Sequence, residues 1–179
     1  GETANALMAK GCVIIGQHAD STGAPAAVET ARGAGKEVYC VGYNVDMLAV
    51  APTAALTSSQ NNWAVDYTNL IGIAMKGEKF DYNYTYGLKD NGVMISKLGD
   101  SCASGTAEKV AEVETAIKDG KLHVFDCSKF TVGGEHLTSY DKSFGFEGLE
   151  LIEDGYFHES EKLSAPLFDI AIDGITKLN

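Results

Sequence analysis

Residues 12–46, CVIIGQHADSTGAPAAVETARGAGKEVYCVGYNVD, contain the pattern that decides the fold. An apolar run at 12–16 is followed by a helical segment at 24–34, and a second apolar run follows at 37–43. Short continuous apolar runs are typical of strands that are buried on both faces in a parallel sheet. A strand, a helix and a strand at this spacing form a right-handed crossover. The stretch therefore predicts an α/β fold, with a parallel sheet that has helices on both faces.

The same alternation of helix and strand patterns extends to both sides of this unit. We expect further helices at residues 2–10, 64–76 and 106–118, and further strands at 54–57, 82–88 and 122–125. The helix at 106–118 has the clearest pattern, because its apolar residues form one stripe: Ala107, Val110, Ala111, Val113 and Ile117. The length of 179 residues is that of one domain with a continuous core.

The composition excludes several classes of protein. Asp and Glu number 25 against 14 Lys and Arg, and the net charge of -11 makes a nucleic-acid partner unfavourable. A membrane-spanning helix needs about 18 consecutive apolar residues, and no run reaches that length. The four Cys have no C-x-x-C spacing and the four His are scattered. We therefore expect neither a metal site nor a cofactor.

Polar stretches follow three of the expected strands, and ligands of α/β sheets bind at the carboxyl ends of strands. The stretches are 17–23, 44–46 and 58–63, and their candidate site residues are His18, Asp20, Asn44, Asp46, Asn61 and Trp63. The first stretch could bind a polar group at a helix N-terminus or could only cap that helix. Trp63 could stack on a planar ligand or pack the start of a helix. The sequence pattern leaves both alternatives open.

A catalytic interpretation depends on Cys102 or His18. Cys102 lies shortly before the helix at 106–118, where a thiol can be activated, but no His is placed as its partner. The glycine motifs that bind phosphates are absent from the sequence, and so is a convincing acid–base pair. We expect no catalysis. The alternative is a stand-alone α/β regulatory or enzyme domain in which Cys102 or His18 is the active group.

A set of sequence blocks occurs in an order that is specific to one family. The blocks are CVIIGQHADS at 12–21, VYCVGYNVDM at 38–47, AP at 51–52 with LT at 56–57, NW at 62–63, YGLKDNGV at 86–93, the helix from Thr106, and the closing stretch with AP at 165–166 and residues 169–179. Together they resemble the basic membrane protein family (BMP, or Med), the substrate-binding lipoproteins of ABC importers. The likeness is weakest between residues 130 and 163.

The resemblance implies a type I periplasmic-binding-protein fold, in which two Rossmann-like α/β lobes close on a ligand across a hinge. Residues 1–179 would be the C-terminal portion of such a protein. Residues 56–92 would hold the hinge-crossing segments, 56–59 and 87–92, together with a helix that packs on the N-terminal lobe. Without that lobe, the fragment would self-associate through the exposed lobe face or the sheet edge.

The family also implies a location and a partner. A full member begins with a signal peptide and a lipid-carrying Cys. This places the protein outside the cytoplasm, either in the periplasm or lipid-anchored to the outer face of the cytoplasmic membrane. Its partner would be an ABC permease.

The family further suggests a ligand, because characterised members mostly bind purine nucleosides and one branch is similar to adenine binders. Nucleoside-binding relatives hold the ribose hydroxyls with an Asp at the position of Asn44 and a Lys near Asn61. Both residues are neutral here, so we expect a purine base, adenine-like, rather than a nucleoside. Trp63 would stack on the base and Gly92 would allow close backbone approach. The edge or hydroxyl partners would be His18, Asp20, Asn44 and Asp46.

Overall fold

The computed structural model describes residues 1–81, 84–142, 147–158, 162 and 169–176. The chain divides into two compact units, Gly1–Glu114 and Thr115–Asn179. Part of the expected strand at 82–88 and the block at 165–166 lie outside the described residues. Residues 84–88 form no strand, so that expectation is wrong for them. Within the described part of the chain, no helix is both long enough and apolar enough to cross a bilayer.

The first unit is an α/β sheet with flanking helices, as the sequence predicts. Its elements in chain order are α1 (Glu2–Ala9), β1 (Ile14–Gly16), α2 (Gly23–Gly33), β2 (Tyr39–Tyr43), β3 (Ala55–Asn61), α3 (Trp63–Lys76), β4 (Val93–Ile95) and α4 (Thr106–Lys118), which continues into the second unit. The sheet order is β1-β2-β3-β4. The pairs β1–β2 and β2–β3 are parallel, whereas β3–β4 is antiparallel.

The third strand differs from its expected extent. It was expected at residues 54–57, but β3 runs to Asn61 and includes the polar residues 58–61. These residues pair with β2 on one side and with β4 on the other. A strand paired on both sides has its backbone hydrogen bonds satisfied whatever its side chains are, so polar side chains do not end it.

The core of the first unit lies between one sheet face and the helices α1 and α2. Ile15 of β1, Cys40 of β2 and Val28 of α2 are all buried in this cluster. Burial raises the pKa of the Cys40 thiol to about 11, because an apolar environment disfavours the thiolate. This cluster is the apolar core of the first unit.

The expectation that the first strand is buried on both faces is wrong. Ile15 is only 3% exposed, but its neighbours Val13 and Ile14 are 58% and 56% exposed. β1 is an edge strand, and the second face of the sheet borders an open cavity of about 440 Å³. The cavity lies between strand residues such as Val41 and the first turns of α4, which include Val110. Helices therefore flank both faces, but the second face is loosely covered.

The carboxyl end of β2 packs tightly against the turn that follows it. Met47 begins a 3₁₀-helix, Met47–Ala49, and its N–H donates to Ser58 Oγ at 3.0 Å. Met47 is 2% exposed and Ser58 is fully buried. A Cβ atom on Gly42 would overlap the side chains of both residues. Only glycine therefore fits at position 42 without a shift of this turn.

Helix α3 buries none of its residues in the described structure. Residues 65, 70, 71 and 74, which the sequence pattern predicts to be its apolar interior, are therefore not buried. A row of large side chains at a spacing of four residues is exposed: Trp63, Tyr67, Ile71 and Met75. Such side chains lie above one another on one helix face. The expectation that this helix packs on a second lobe stays a prediction.

The second unit contains a short hairpin and its own small core. Strands β5 (Ile152–Glu153) and β6 (Tyr156–Phe157) are antiparallel. Its buried apolar residues are Cys127, Leu151, Ile152 and Phe157. The expected strand at 122–125 does not form; next to it, Asp126 makes only an isolated bridge with Tyr156.

We expect Glu150→Gln to loosen the second unit, most clearly near neutral pH, where the carboxylate of the wild type is ionised. Glu150 Oε1 accepts from the N–H groups of Tyr140, at 2.7 Å, and Ile152, at 2.8 Å, while Oε2 accepts from Ser139. These bonds lower the pKa of Glu150 from 4.5 to about 2, and the bond from Ser139 has the largest effect. Since the folded-state pKa is depressed, the stabilisation is present above about pH 4.5 and is lost as the pH falls towards 2.

Amide hydrogen exchange at Tyr140 and Ile152 measures this effect directly. Hydrogen bonds to a partly buried carboxylate contribute about 1–2 kcal/mol, so the variant should exchange roughly 5- to 30-fold faster at neutral pH. The difference from the wild type should shrink as the pH falls from 4.5 to 2. Glu147→Gln, at an exposed carboxylate of the same segment, is the control. Unchanged protection in Glu150→Gln would contradict the assignment.

Candidate ligand-binding site

A small cleft opens where β1 and β2 end, at the edge of the sheet where ligands of α/β folds bind. Its volume is about 180 Å³. The residues that line it come from the two turns after these strands: Asp20, Ser21, Thr22, Tyr43, Asn44, Val45 and Met47. The cleft thus brings together the first two polar stretches that the sequence selects.

Asp20 and Asn44 form the polar edge of the cleft. Asn44 Nδ2 donates to Asp20 Oδ1 at 2.9 Å. Asn44 has a φ of 68°, a left-handed conformation that Asn tolerates better than most residues. Its backbone N–H donates to Ser59 O at 2.7 Å, which fixes the turn to β3. Asp20 Oδ2 and Asn44 Oδ1 remain as acceptors beside the cleft, so this edge suits a ligand that donates hydrogen bonds.

The contacts of residues 17–23 show which of their side chains cap the helix. Thr22 is the N-cap of α2, and its side chain makes no capping bond among the described residues. Ser21 Oγ accepts a long bond, 3.4 Å, from Gly23 N–H, and Gln17 Nε2 donates to Ser21 O at 3.2 Å. Asp20 binds Asn44 across the cleft instead of capping the helix. The loop is therefore held mainly by Gln17 and Ser21, and Asp20 is left for the site.

Two other candidates have structural contacts of their own. Asp46 Oδ1 accepts from Leu48 N–H at 2.9 Å and so caps the 3₁₀-helix below the cleft. A Cβ atom on Gly92 would overlap Tyr86, and Gly92 O accepts from Asn62 N–H at 2.8 Å. Neither residue is among those that line the cleft. Asp46 holds the turn after β2, and Gly92 holds the backbone beside the start of α3.

Asn61 and Trp63 lie at the end of β3 and the start of α3. Asn61 pairs with Val93 in the sheet. Trp63 is 53% exposed, and its ring stacks against Tyr67 with centroids 6.2 Å apart. Neither residue belongs to the set that lines the cleft. The structure therefore does not place Asn61 and Trp63 in the cleft that Asp20 and Asn44 line.

Tyr43 lines the cleft, although sequence reasoning did not select it. It ends β2, and its ring stacks on the His18 imidazole with centroids 4.3 Å apart and planes at 26°. The one signal in the sequence is that Tyr43 closes an apolar run directly before the polar residues 44–46. An aromatic residue in that position is also typical of a core strand.

The residues of the catalytic alternative are engaged in packing and hydrogen bonding. Cys102 Sγ donates to Leu56 O at 3.4 Å, and His18 lies on Tyr43. Among the described residues, no group of three or more His, Cys, Asp or Glu side chains is placed to hold a metal ion.

Comparison with known proteins decides the family. The family model for Bmp, described as ABC transporter substrate-binding protein PnrA-like, matches residues 1–126. The chain belongs to the Bmp family. This confirms the resemblance that the sequence blocks show. Substrate-binding proteins are not enzymes, so the alternative with Cys102 or His18 as an active group is set aside. Bmp-family binding proteins are extracytoplasmic, bind small molecules and interact with ABC permeases.

Two curated relatives carry different ligand names. A putative ABC transporter glucose-binding protein from Haloferax volcanii is 30% identical over 150 residues, which are 83% of this chain and 37% of that protein. A purine-binding protein from Brucella abortus is 29% identical over 124 residues, which are 69% of this chain and 34% of that protein. The chain thus spans about a third of the length of these relatives.

Two solved structures share the fold of this chain. A transcriptional activator of the comK gene from Bacillus halodurans aligns with a TM-score of 0.59 at 14% identity, covering 69% of this chain and 42% of that one. An ABC transporter solute-binding protein from Aeropyrum pernix aligns with a TM-score of 0.57 at 16% identity, covering 75% and 44%. At these identities the likeness shows the fold, which is the periplasmic-binding-protein fold predicted from the sequence.

Proposed function

We propose that this chain is the C-terminal portion of the solute-binding component of an ABC importer that takes up a purine base, with an adenine-like base favoured over a nucleoside. The observation that carries the proposal is the Asp20–Asn44 pair at the mouth of the cleft. One of the curated relatives is a purine-binding protein, which supports the same class.

The acceptors of the cleft suit the edge of a 6-aminopurine. Adenine carries an exocyclic amine and a ring N–H, both of which donate hydrogen bonds, and Asp20 and Asn44 offer acceptor oxygens. A bond to a charged acceptor contributes about 1.5–3 kcal/mol. A base with an oxo group in place of the amine would bring a hydrogen-bond acceptor against the acceptor oxygens of Asp20 and Asn44, so it would bind less well. An Asp in place of Asn44 would face Asp20, so the ribose clamp of nucleoside-binding relatives does not fit here.

The remaining candidates complete the proposed site. Trp63 would stack on the base, and Asp46 would add an edge contact. His18 would act through the Tyr43 ring on which it stacks, and Asn61 and Gly92 would line the approach. The segments 56–59 and 87–92 are proposed as hinge crossings. Trp63 begins α3, two residues after the last residue of β3, so it would reach the base if a second lobe closed against this one.

The exposed face of α3 supports the proposal that another lobe or chain covers this helix. Its row of large apolar side chains is the kind of surface that a second lobe, or a second copy of the chain, would cover. We propose that it packs on the N-terminal lobe in the whole protein, and that the isolated fragment self-associates. A lipid anchor and an ABC permease complete the proposed setting.

A second candidate ligand is a sugar, because one curated relative is a putative glucose-binding protein. A carboxylate beside an amide also accepts hydrogen bonds from neighbouring hydroxyls, and the Asp20–Asn44 pair would serve this purpose equally well.

Titration of the 179-residue chain with adenine, adenosine and glucose, followed by NMR, separates the candidates. Shifts of the Asp20 and Asn44 amides with adenine at lower concentrations than with the other two would support our proposal. Glucose alone would favour the sugar.

We expect Trp63→Ala to weaken adenine binding if Trp63 reaches the base. Stacking of a base on an aromatic ring contributes about 1–3 kcal/mol, so the dissociation constant should rise roughly 5- to 150-fold. Isothermal titration of the full two-lobe protein and of its variant measures the change, with Phe80→Ala, at an exposed aromatic residue outside α3, as control. An unchanged dissociation constant would remove Trp63 from the site.

A further inference from the structure

The aromatic wall of the cleft is Tyr43. Tyr43 is half-buried at the end of β2 and is one of the residues that line the cleft, together with Asp20 and Asn44. His18, whose side chain is exposed, stacks on it at a centroid distance of 4.3 Å. His18 is exposed and is not itself among the residues that line the cleft, so this pair is a stacked aromatic surface beside the cleft rather than part of the interior packing.

We propose that Tyr43, backed by His18, is the surface on which the planar ring of the ligand stacks, while Asp20 and Asn44 bind the edge of that ring. This inference rests on the proposed function and assigns a specificity-determining residue to it. A stacked face and an acceptor edge within one cleft select a flat heteroaromatic molecule that carries N–H donors. A saturated sugar ring would meet the same acceptors but would lose most of the stacking.

The position of Tyr43 in the fold explains how its ring is held. Asn44 N–H binds Ser59 O, and Asp46 caps the 3₁₀-helix directly after the turn, so the backbone on the carboxyl side of Tyr43 is fixed. Gly42, on the other side, is held against Met47 and Ser58. A stacking ring on a fixed backbone loses little conformational entropy when a ligand binds.

The test compares Tyr43→Leu with Tyr43→Phe in the 179-residue chain, with adenine as the probe and Phe80→Leu, at an exposed aromatic residue, as the matched control. NMR titration gives the dissociation constant and the upfield ring-current shifts of the adenine H2 and H8 protons. We expect Tyr43→Leu to raise the dissociation constant roughly 5- to 150-fold and to abolish the upfield shifts. Tyr43→Phe should change the dissociation constant by only a small factor and should keep the upfield shifts, because the phenyl ring can still stack. Phe80→Leu should match the wild type.

Saturation transfer in the wild type provides a second measurement that needs no variant to fold. Saturation of the Tyr43 ring protons should be transferred to the adenine H2 and H8 protons. Adenine binding that Tyr43→Leu leaves unchanged, or the absence of transfer from Tyr43, would overturn the inference while the proposed function stands. Binding of glucose without adenine would overturn the heteroaromatic ligand class, and with it the proposed function.

Discussion

Replacing Gly42 with alanine should destabilise the first unit by about 1–3 kcal/mol, the range found when a well-packed core receives an extra methyl group. The added Cβ would overlap Met47 and Ser58, which are both buried. To make room, the 3₁₀-helix would have to move away from β3. That movement would break the bond from Met47 N–H to Ser58 Oγ and would shift Asn44 from Asp20.

Urea unfolding followed by circular dichroism measures this loss. Gly72→Ala is the matched control, because Gly72 lies inside α3 and a Cβ atom there meets nothing within 4 Å. Alanine in a helix interior is favoured over glycine by about 0.5–1 kcal/mol, so this control should be neutral or slightly stabilising. Equal midpoints for Gly42→Ala and the wild type would show that the turn after β2 is not packed as described.

Removal of the Asp20 carboxylate should produce the largest loss of binding. Asp20→Ala takes away the charged acceptor of the cleft and the partner of Asn44 Nδ2. A hydrogen bond to a charged group contributes about 1.5–3 kcal/mol, so adenine affinity should fall roughly 10- to 150-fold. Isothermal titration of the chain with adenine checks this. The control is Asp100→Ala, at an exposed carboxylate near the other end of β3, where Gly99 N–H binds Leu56 O.

Asn44→Asp tests the same pair from the other side. The new carboxylate would face Asp20 at hydrogen-bond distance, and two like charges so close repel each other. We expect weaker adenine binding than in the wild type and no gain in adenosine binding. A variant that prefers adenosine would mean that the side chain at position 44 turns away from Asp20 to a sugar site, contrary to the geometry described above.

Local patterns in the sequence predicted much of the fold. The apolar runs at 12–16 and 37–43 and the helix between them lie where the parallel crossover places them, and α4 has the bounds that its apolar stripe predicts. The rule that ligands bind at strand ends brought Asp20 and Asn44 under examination, and the structure joins them by a hydrogen bond. Such predictions succeed because they depend on periodicity and chain connection, which are local properties.

The errors depend on contacts between distant residues. β4 has three residues and no alternating pattern, and it exists because β3 offers an edge for antiparallel pairing. The polar sequence around Ser58 predicts a loop, but its hydroxyl oxygen accepts a hydrogen bond from the Met47 N–H in the interior. Tyr43 has the sequence context of a core aromatic residue, and only the turns after β1 and β2 bring it to the cleft that Asp20 also lines. None of these partners is near in sequence, so no local window of the sequence contains them.

The exposure of Trp63 makes α3 an optical reporter. Trp63 is the one tryptophan of the chain, and 53% of its surface is exposed on α3. Selective excitation of indole fluorescence therefore observes this helix and no other part of the chain. Covering the row from Trp63 to Met75 would move the emission to shorter wavelengths, since the indole would leave water. Emission maxima recorded over a dilution series thus report the burial of α3 separately from occupancy of the cleft at Asp20 and Asn44.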